Sequence, residues 1–164
     1  MPIIHFDHNE VCKGCMLDKN VKKSFPSSIK RSKEVLELIH SNICGPMSSP
    51  SLSGYLYYVI FIDDYSRKTW IYFLKTKGET FGKFQEFKAL VEKQTSKNIY
   101  ALRTDNGGEF ESHYFDGFCK EEGIKRQLIV PYNPQQNGVV ERKNRTICEA
   151  AKAMMFDQDL PNSL

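Results

Sequence analysis

Two acidic residues, Asp105 and Glu141, stand where different structural elements would deliver them to one place. Asp105 follows the strand-like run 99–102, and Glu141 lies near the start of a helix-like run that follows a loop-like segment. Mg²⁺ prefers oxygen ligands and usually takes only one or two protein carboxylates beside water and substrate phosphate. The pair therefore predicts a metal-dependent site for phosphoryl transfer in a domain that processes nucleic acid.

Length and composition limit the class of protein. The 164 residues, 40% of them hydrophobic, suffice for one domain of ordinary size with short appendages. No apolar run approaches the roughly 20 residues that span a bilayer, and the start carries no secretory pattern. Five cysteines without disulfide-framework spacing favour a reduced, intracellular setting, and we expect no membrane partner.

The charge pattern suggests nucleic acid more than the total charge does. The net charge is only +3, but basic residues crowd two segments. Each cluster alone is typical of a solvated face, although lysines and arginines that neutralise phosphates also drive sequence-independent binding. The clusters are Lys19, Lys22, Lys23, Lys30, Arg31 and Lys33, and Arg142, Lys143, Arg145 and Lys152.

The first half of the chain predicts an appendage followed by an antiparallel meander. Residues 1–33 are polar and form a separate segment before the domain of residues 34–164. Three apolar or alternating runs at 35–43, 55–62 and 70–74 predict strands with short connections. A helix should follow, because Thr76 and Glu79 form a capping-box pattern. Its apolar face is Phe81, Phe84, Phe87, Leu90 and Val91.

The second half predicts alternating strands and helices. Strands are expected at 99–102 and 124–130, with a helix over 112–122 that ends at Gly123. The segment 131–137 is expected to be loop, and a last helix to begin near Gly138. The whole pattern favours an α/β fold with a mixed five-stranded sheet flanked by helices. The residues expected to be buried on the last helix are Val139, Val140, Ile147, Ala150, Ala151, Met154 and Met155.

Residues 35–160 closely resemble the catalytic core of copia-type retrotransposon integrases, relatives of retroviral integrases with an RNase H-like fold. Several motifs occur in the order and spacing of that family. They are Leu38-Ile-His-Ser-Asn-Ile-Cys-Gly-Pro-Met47, Phe61-Ile-Asp-Asp-Tyr-Ser-Arg-Lys68, Leu102-Arg-Thr-Asp-Asn-Gly-Gly-Glu-Phe110, Pro131-Tyr-Asn-Pro-Gln-Gln-Asn-Gly138 and Glu141-Arg-Lys-Asn-Arg-Thr-Ile147.

The resemblance implies a catalytic, metal-binding triad of two aspartates and a glutamate. Asp105 matches the second aspartate and Glu141 the glutamate, but Asn42 stands where the first aspartate belongs. In two-metal catalysis that aspartate lies between cations about 3.5–4 Å apart. An amide oxygen carries no net charge, and the amide NH₂ group is a hydrogen-bond donor that a cation repels. We therefore expect weakened binding of Mg²⁺ or Mn²⁺, and activity that is lost or impaired.

The resemblance also implies contacts to DNA and the remnant of a zinc domain. Residues that should contact DNA lie in the loop before Glu141 and on the helix after it. Cys12 and Cys15 match the end of the family's zinc-binding domain, but the two matching histidines are missing from this sequence, so Zn²⁺ is not expected to bind. The expected DNA contacts are Tyr132, Asn133, Gln135, Asn137, Arg142, Asn144 and Arg145.

The active form of such an integrase would trim the 3′ ends of element DNA and join them to target DNA, as a nuclear homo-oligomer. Asp63 or Asp64 as a substitute for the missing aspartate is disfavoured, because Asp-Asp-Tyr-Ser is ordinary turn chemistry. Two alternatives stay open: a non-catalytic nucleic-acid-binding or oligomerisation module derived from an integrase, and an RNase H-like nuclease without a role in transposition. The loop 131–137 argues against the nuclease.

Overall fold

A computed structural model describes residues 31–105, 107–110, 112–129 and 134–157, with the backbone alone for residue 109 and residues 134–137. The chain divides into two units, residues 1–30 and 31–164. The expected zinc remnant, Cys12 and Cys15, lies outside the described residues. No helix of the described part is long and apolar enough to cross a membrane.

Five strands form one mixed sheet in the order β3-β2-β1-β4-β5. They are β1 (Ile39–Cys44), β2 (Tyr57–Asp63), β3 (Thr69–Leu74), β4 (Ala101–Thr104) and β5 (Lys125–Leu128). The first three strands pair antiparallel, and β4 is parallel to both β1 and β5. The predicted mixed five-stranded sheet is therefore confirmed.

Within the described residues, three helices flank the sheet: α1 (Thr80–Thr95), α2 (His113–Glu121) and α3 (Pro134–Asp157). The capping box of Thr76 and Glu79 is present, but it opens a short 3-10 turn, Lys77–Glu79, that leads into α1. Ser112 caps α2 by accepting a hydrogen bond from the amide of Phe115, and Gly123 follows the helix with a φ of 70°.

The sheet has a thick core on one face and a thinner one on the other. Helices α1 and α2 pack on the first face around buried aromatic rings, among them Phe61 stacked on Phe87 at a centroid distance of 4.4 Å. Helix α3 packs on the second face, where Val140 meets Ile60 and Ile62. The second face carries the predicted site, because β1 alternates and presents Asn42 there.

Three expectations about the helices are wrong. Residues 134–137 are helical rather than loop, since a proline fits the first turn of a helix, where its missing N–H costs nothing. On α1, Leu90 is exposed because it lies beyond the edge of the buried stripe. The C-terminal half of α3 extends past the sheet, which leaves Ala150, Ala151 and Met154 exposed.

Candidate metal and nucleic-acid site

Asn42 and Asp105 lie on neighbouring parallel strands. Strand β1 pairs with β4 so that Ile39 faces Leu102 and His40 faces Arg103. Asn42 lies three residues after Ile39, and Asp105 lies three residues after Leu102. The same register therefore brings Asn42 and Asp105 level with each other, just where β4 ends. Adjacent strands are about 4.8 Å apart, which puts both side chains on the same face within reach of one cation.

The backbone around Asp105 holds its carboxylate at the end of β4. The side chain is half-buried, and its Oδ1 accepts a hydrogen bond of 3.3 Å from the amide of Gly107. This bond from an aspartate to the amide two residues on is typical of an Asx turn. The turn therefore fixes the carboxylate of Asp105 at the end of β4.

Helix α3 brings Glu141 to the level of Asn42. Val140 packs on Ile60, which is the cross-strand neighbour of Asn42 in the pairing of β1 with β2. One turn further along α3, Asn144 donates a hydrogen bond of 2.8 Å from Nδ2 to the sulfur of Cys44. These two contacts bracket Glu141 on the flank of α3 that faces β1, where its side chain is exposed.

A second contact secures the same seam between α3 and the sheet. The hydroxyl of Tyr58 lies 3.9 Å from the sulfur of Cys148, one turn after Asn144. Burial raises the pKa of the Cys44 thiol, with the negative charge of Asp105 as a smaller cause. Burial, together with the neighbouring thiols, also raises the pKa of Tyr58. Both groups therefore stay neutral and serve as packing and hydrogen-bonding partners.

The predicted ligands Asn42, Asp105 and Glu141 would supply one amide and two carboxylates. All three side chains offer oxygen, which suits a hard divalent cation. Within the described residues, no group of three or more His, Cys, Asp or Glu side chains could hold a metal ion. Asn42 stands at the position where the resemblance implies a third acidic ligand, and its effect on metal binding stays a prediction.

The two aspartates after β2 have structural roles. Asp63 is fully buried, and it accepts hydrogen bonds from the amide of Leu36 and from the amide and hydroxyl of Ser66. Its cross-strand partner is Ile39, three residues before Asn42. Asp63 therefore closes the turn and lies away from the end of β4 where Asp105 stands.

Asp64 is the centre of a buried polar cluster at the other end of β1. Its carboxylate accepts a hydrogen bond of 2.7 Å from the amide of Ser32 and lies 3.1 Å from His40 Nε2 and 3.0 Å from Arg67. Burial alone would raise the pKa of this carboxyl, but these partners more than offset it, and the pKa is lowered. Asp64 is therefore committed to partners that hold the chain before β1 onto the sheet.

His40 belongs to the same cluster and is neutral near pH 7. Its side chain is 2% exposed, and burial lowers its pKa below 6.5, while the hydrogen bond and charge of Asp64 act in the opposite direction. The other ring nitrogen, Nδ1, is buried and has no hydrogen-bond partner among the described residues. This setting gives His40 a structural role.

The residues expected to contact DNA divide into three groups. Arg142 and Arg145 are exposed on α3, in the turn that follows Glu141. Asn144 instead points at β1, and its Oδ1 is buried without a partner among the described residues. Tyr132 and Asn133, and the side chains of Gln135 and Asn137, lie outside the described residues.

Sequence reasoning missed the seam between α3 and the sheet, which includes Cys44 and Tyr58. One signal was available. Cys44 lies two residues after Asn42 on the same face of β1, and Asn144 lies three residues after Glu141 on α3. Periodicity could therefore have placed both beside the site, although the contact between them depends on tertiary packing.

The sheet order and the three flanking helices define an α/β domain of the RNase H-like class. A family model described as the integrase core domain matches residues 33–134. The chain belongs to the integrase core domain family.

Relatives in plants share much of the sequence. The chain is 46% identical over 152 residues to the Retrovirus-related Pol polyprotein from transposon TNT 1-94 of Nicotiana tabacum, a match over 93% of this chain and 11% of the relative. It is 36% identical to the corresponding polyprotein from transposon RE2 of Arabidopsis thaliana, over 99% of this chain and 11% of the relative. The chain thus spans about a tenth of these relatives, and the resemblance to retrotransposon integrases is confirmed.

Solved structures share the fold at lower sequence identity. The simian T-cell lymphotropic virus intasome in complex with PP2A regulatory subunit B56 gamma matches with a TM-score of 0.66 and 22% identity, over 81% of this chain and 46% of that chain. The HTLV-2 integrase catalytic core domain in complex with magnesium, trimeric form, matches with a TM-score of 0.59 and 22% identity, over 80% of each chain. These matches confirm the RNase H-like fold.

Proposed function

We propose that this chain is the DNA-integration core of a retrotransposon Pol polyprotein whose metal site is one carboxylate short. Asn42, Asp105 and Glu141 form the site, and Asn42 replaces the acidic ligand that two cations would share. The observation that carries the proposal is the register of β1 and β4, which sets Asn42 level with Asp105. We expect activity to be lost or strongly impaired in this form.

The ligand set suits Mg²⁺ or Mn²⁺ only in part. The HTLV-2 core with a similar fold is in complex with magnesium, and we extend that metal to this chain. Two carboxylates and an amide oxygen could hold one hard cation, whereas a further carboxylate at position 42 would favour binding of a second. When bound, such cations supply Lewis-acid stabilisation of the charge that develops on the phosphoryl oxygens.

The side chains of this chain would have two roles, metal binding and DNA binding. Asp105 and Glu141 would hold the metal, each from a rigid element, so that little reorganisation is needed. Arg142 and Arg145, which follow Glu141 on α3, would neutralise DNA phosphates. Tyr132 and Asn133, which precede α3, and Gln135 and Asn137, at the start of α3, would contact the strand near the scissile phosphate.

Asn144 takes a positioning role in this proposal rather than a DNA contact. Its amide fixes α3 on β1 through Cys44, which holds the backbone of Glu141 near Asn42. A change at this position would therefore act on the site through the placement of the helix.

The reaction of an intact site would have two steps. Water would first attack a phosphodiester near each 3′ end of the element DNA and release the terminal nucleotides. The new 3′-hydroxyl would then attack a target phosphodiester and displace a 3′-oxygen of the target strand. Both steps are in-line displacements at phosphorus, which are catalysed mainly by positioning and charge stabilisation.

Several further assignments belong to the same proposal. Residues 1–33 would be the remnant of a zinc domain and a basic linker, with Cys12 and Cys15 too few to hold Zn²⁺ alone. The HTLV-2 core has dimeric and trimeric forms, and we extend homo-oligomerisation to this chain. Action on chromosomal DNA would place the protein in the nucleus.

A second candidate is a non-catalytic module that binds nucleic acid. The amide at position 42 favours it, because the fold and the basic face of α3 persist while the third acidic ligand is absent. Assays of 3′-end trimming and strand transfer in Mg²⁺ or Mn²⁺ separate the two candidates. If only Asn42→Asp trims and joins DNA, the chain is a disabled integrase. If neither wild type nor Asn42→Asp is active while both still bind DNA, the chain is a non-catalytic module that binds nucleic acid.

A further inference from the structure

A basic pocket lies on the flank of α3 that faces away from β1. Its volume is about 350 Å³, and it opens between α3 and the turn that joins β2 to β3. Three cationic side chains and a hydroxyl surround an apolar floor. The lining residues are Ile62, Arg67, Val139, Arg142, Lys143 and Thr146.

The pocket is separate from the candidate metal site. At 100° per residue, Val140 and Ile147 point to the sheet, and Glu141 and Asn144 lie on the side of β1. Lys143 and Thr146 lie on the other side, toward Ile62 at the end of β2. The helix therefore stands between the two sites.

The structure holds Arg67 in place before any ligand binds, and Arg142 lies close to the backbone of its own helix. Arg67 lies in the turn with a φ of 61°, and its Nη1 is 3.0 Å from Asp64 Oδ1, a carboxylate that is itself almost fully buried. The guanidinium of Arg142 packs over Gly138, where an added Cβ would come within 3.3 Å of Nη1. Fixed guanidinium groups lose little side-chain entropy when they bind an anion.

The charge balance favours an anion. Arg67, Arg142 and Lys143 contribute three positive charges, and Asp64 offsets about one of them. Thr146 adds a hydroxyl that donates to the backbone oxygen of Arg142 and can accept from a ligand. Guanidinium and ammonium groups arranged around one space are typical of phosphate recognition.

We propose that this pocket binds a phosphodiester group of a nucleic-acid strand, with the adjacent sugar against Ile62 and Val139. The inference rests on the proposed function in taking nucleic acid as the partner, but it requires no metal and no catalysis. A strand held here would be anchored on the side of α3 opposite Glu141, so that the helix would contact nucleic acid on both flanks.

The test is binding of a fluorescent DNA duplex by anisotropy, in EDTA and over a series of salt concentrations. Lys143→Gln keeps much of the side-chain stem and removes the charge. Loss of one phosphate contact should weaken binding about threefold at moderate salt and reduce the slope of log K against log salt by about one. Lys93→Gln, on exposed α1 across the sheet, is the charge-matched control and should change neither quantity.

A second variant and a stability measurement show whether weaker DNA binding results from partial unfolding instead of the loss of a phosphate contact. Thr146→Val should weaken DNA binding less than Lys143→Gln, and both proteins should keep the wild-type unfolding midpoint. Equal binding by wild type and Lys143→Gln, or equal weakening by Lys93→Gln, would overturn the proposal. Arg145→Gln, on the Glu141 flank, reports on the proposed function separately, because its effect does not depend on the pocket.

The source of the phosphate is tested with inorganic phosphate alone. Amide signals of residues 143 and 146 should shift in NMR spectra on addition of the duplex, and less with phosphate at the same concentration of phosphate groups. If inorganic phosphate shifts them while the duplex binds Lys143→Gln as tightly as wild type, the pocket takes a free anion only, and the nucleic-acid assignment fails.

Discussion

Asn144 on α3 donates a hydrogen bond of 2.8 Å to the sulfur of Cys44 on β1, across a sequence separation of 100 residues. The two residues lie three positions after Glu141 and two positions after Asn42, respectively. One side-chain contact thus joins the helix that carries one candidate ligand to the strand that carries another.

Asn144→Ala should loosen this seam. Removal of the amide deletes the hydrogen bond and leaves space beside Cys44, and we expect the free energy of unfolding to fall by about 1–2 kcal/mol. Amide hydrogen exchange should become faster in the first half of α3. Lys152→Ala, exposed on the same helix, should cost less than about 0.5 kcal/mol. Equal urea midpoints for Asn144→Ala and wild type would show that the contact does not hold the helix.

His40 makes stability depend on pH. Burial lowers its pKa in the folded protein below 6.5, so the unfolded chain takes up the proton first as the pH falls. The contribution of neutral His40 is therefore complete above pH 6.5 and is lost progressively below it.

Urea unfolding at pH 7.5 and pH 5.5 measures this effect. Wild type should be less stable at the lower pH, and His40→Gln should lose part of that difference, because glutamine does not titrate and its amide can still donate to Asp64. His113→Gln, at an exposed histidine, should keep the full difference. A His40→Gln protein with the wild-type pH dependence would contradict the assignment.

Gly45, directly after β1, cannot accept a side chain. Its φ is 125°, and an added Cβ would lie 2.6 Å from the backbone oxygen of Leu56. Gly45→Ala should therefore lower the free energy of unfolding by about 2–4 kcal/mol. Gly82→Ala provides the matched comparison, because that helical glycine has open space and alanine should stabilise α1 by about 0.5–1 kcal/mol. Equal effects of the two substitutions would rule out the steric explanation.

The sheet could be predicted from sequence because its strands carry strong local signals. The apolar run at 55–62 and the alternation after Val35 gave β2 and β1, although β1 begins only at Ile39. The start of that run is a turn in which buried Leu36 has a φ of 65°, which hydrophobic pattern alone does not reveal. The start of helix α3 was misjudged, because Pro134 can open a helix. The burial of its C-terminal half was misjudged, because burial depends on how far the sheet extends beneath the helix.

The candidate ligands could be found from sequence, but the contacts that position them could not. Asp105 and Asn42 are placed by strand register, and alternation along β1 puts Asn42 and His40 on one face. The bonds of Asn144 to Cys44 and of His40 to Asp64 join residues distant in sequence. Local propensity carries no information about such contacts. The basic pocket was missed for the same reason, because Arg67 comes from a turn and Lys143 from a helix.

Metal affinity of the Asn42→Asp protein tests the central claim most directly. Calorimetric titration with Mn²⁺ should show binding at least about tenfold tighter than wild type, because a third carboxylate adds a charge within a few ångströms of the cation. Addition of Glu141→Gln to Asn42→Asp should remove most of that gain. Equal affinities of wild type and Asn42→Asp, with both proteins folded, would contradict the claim that residues 42, 105 and 141 form one site.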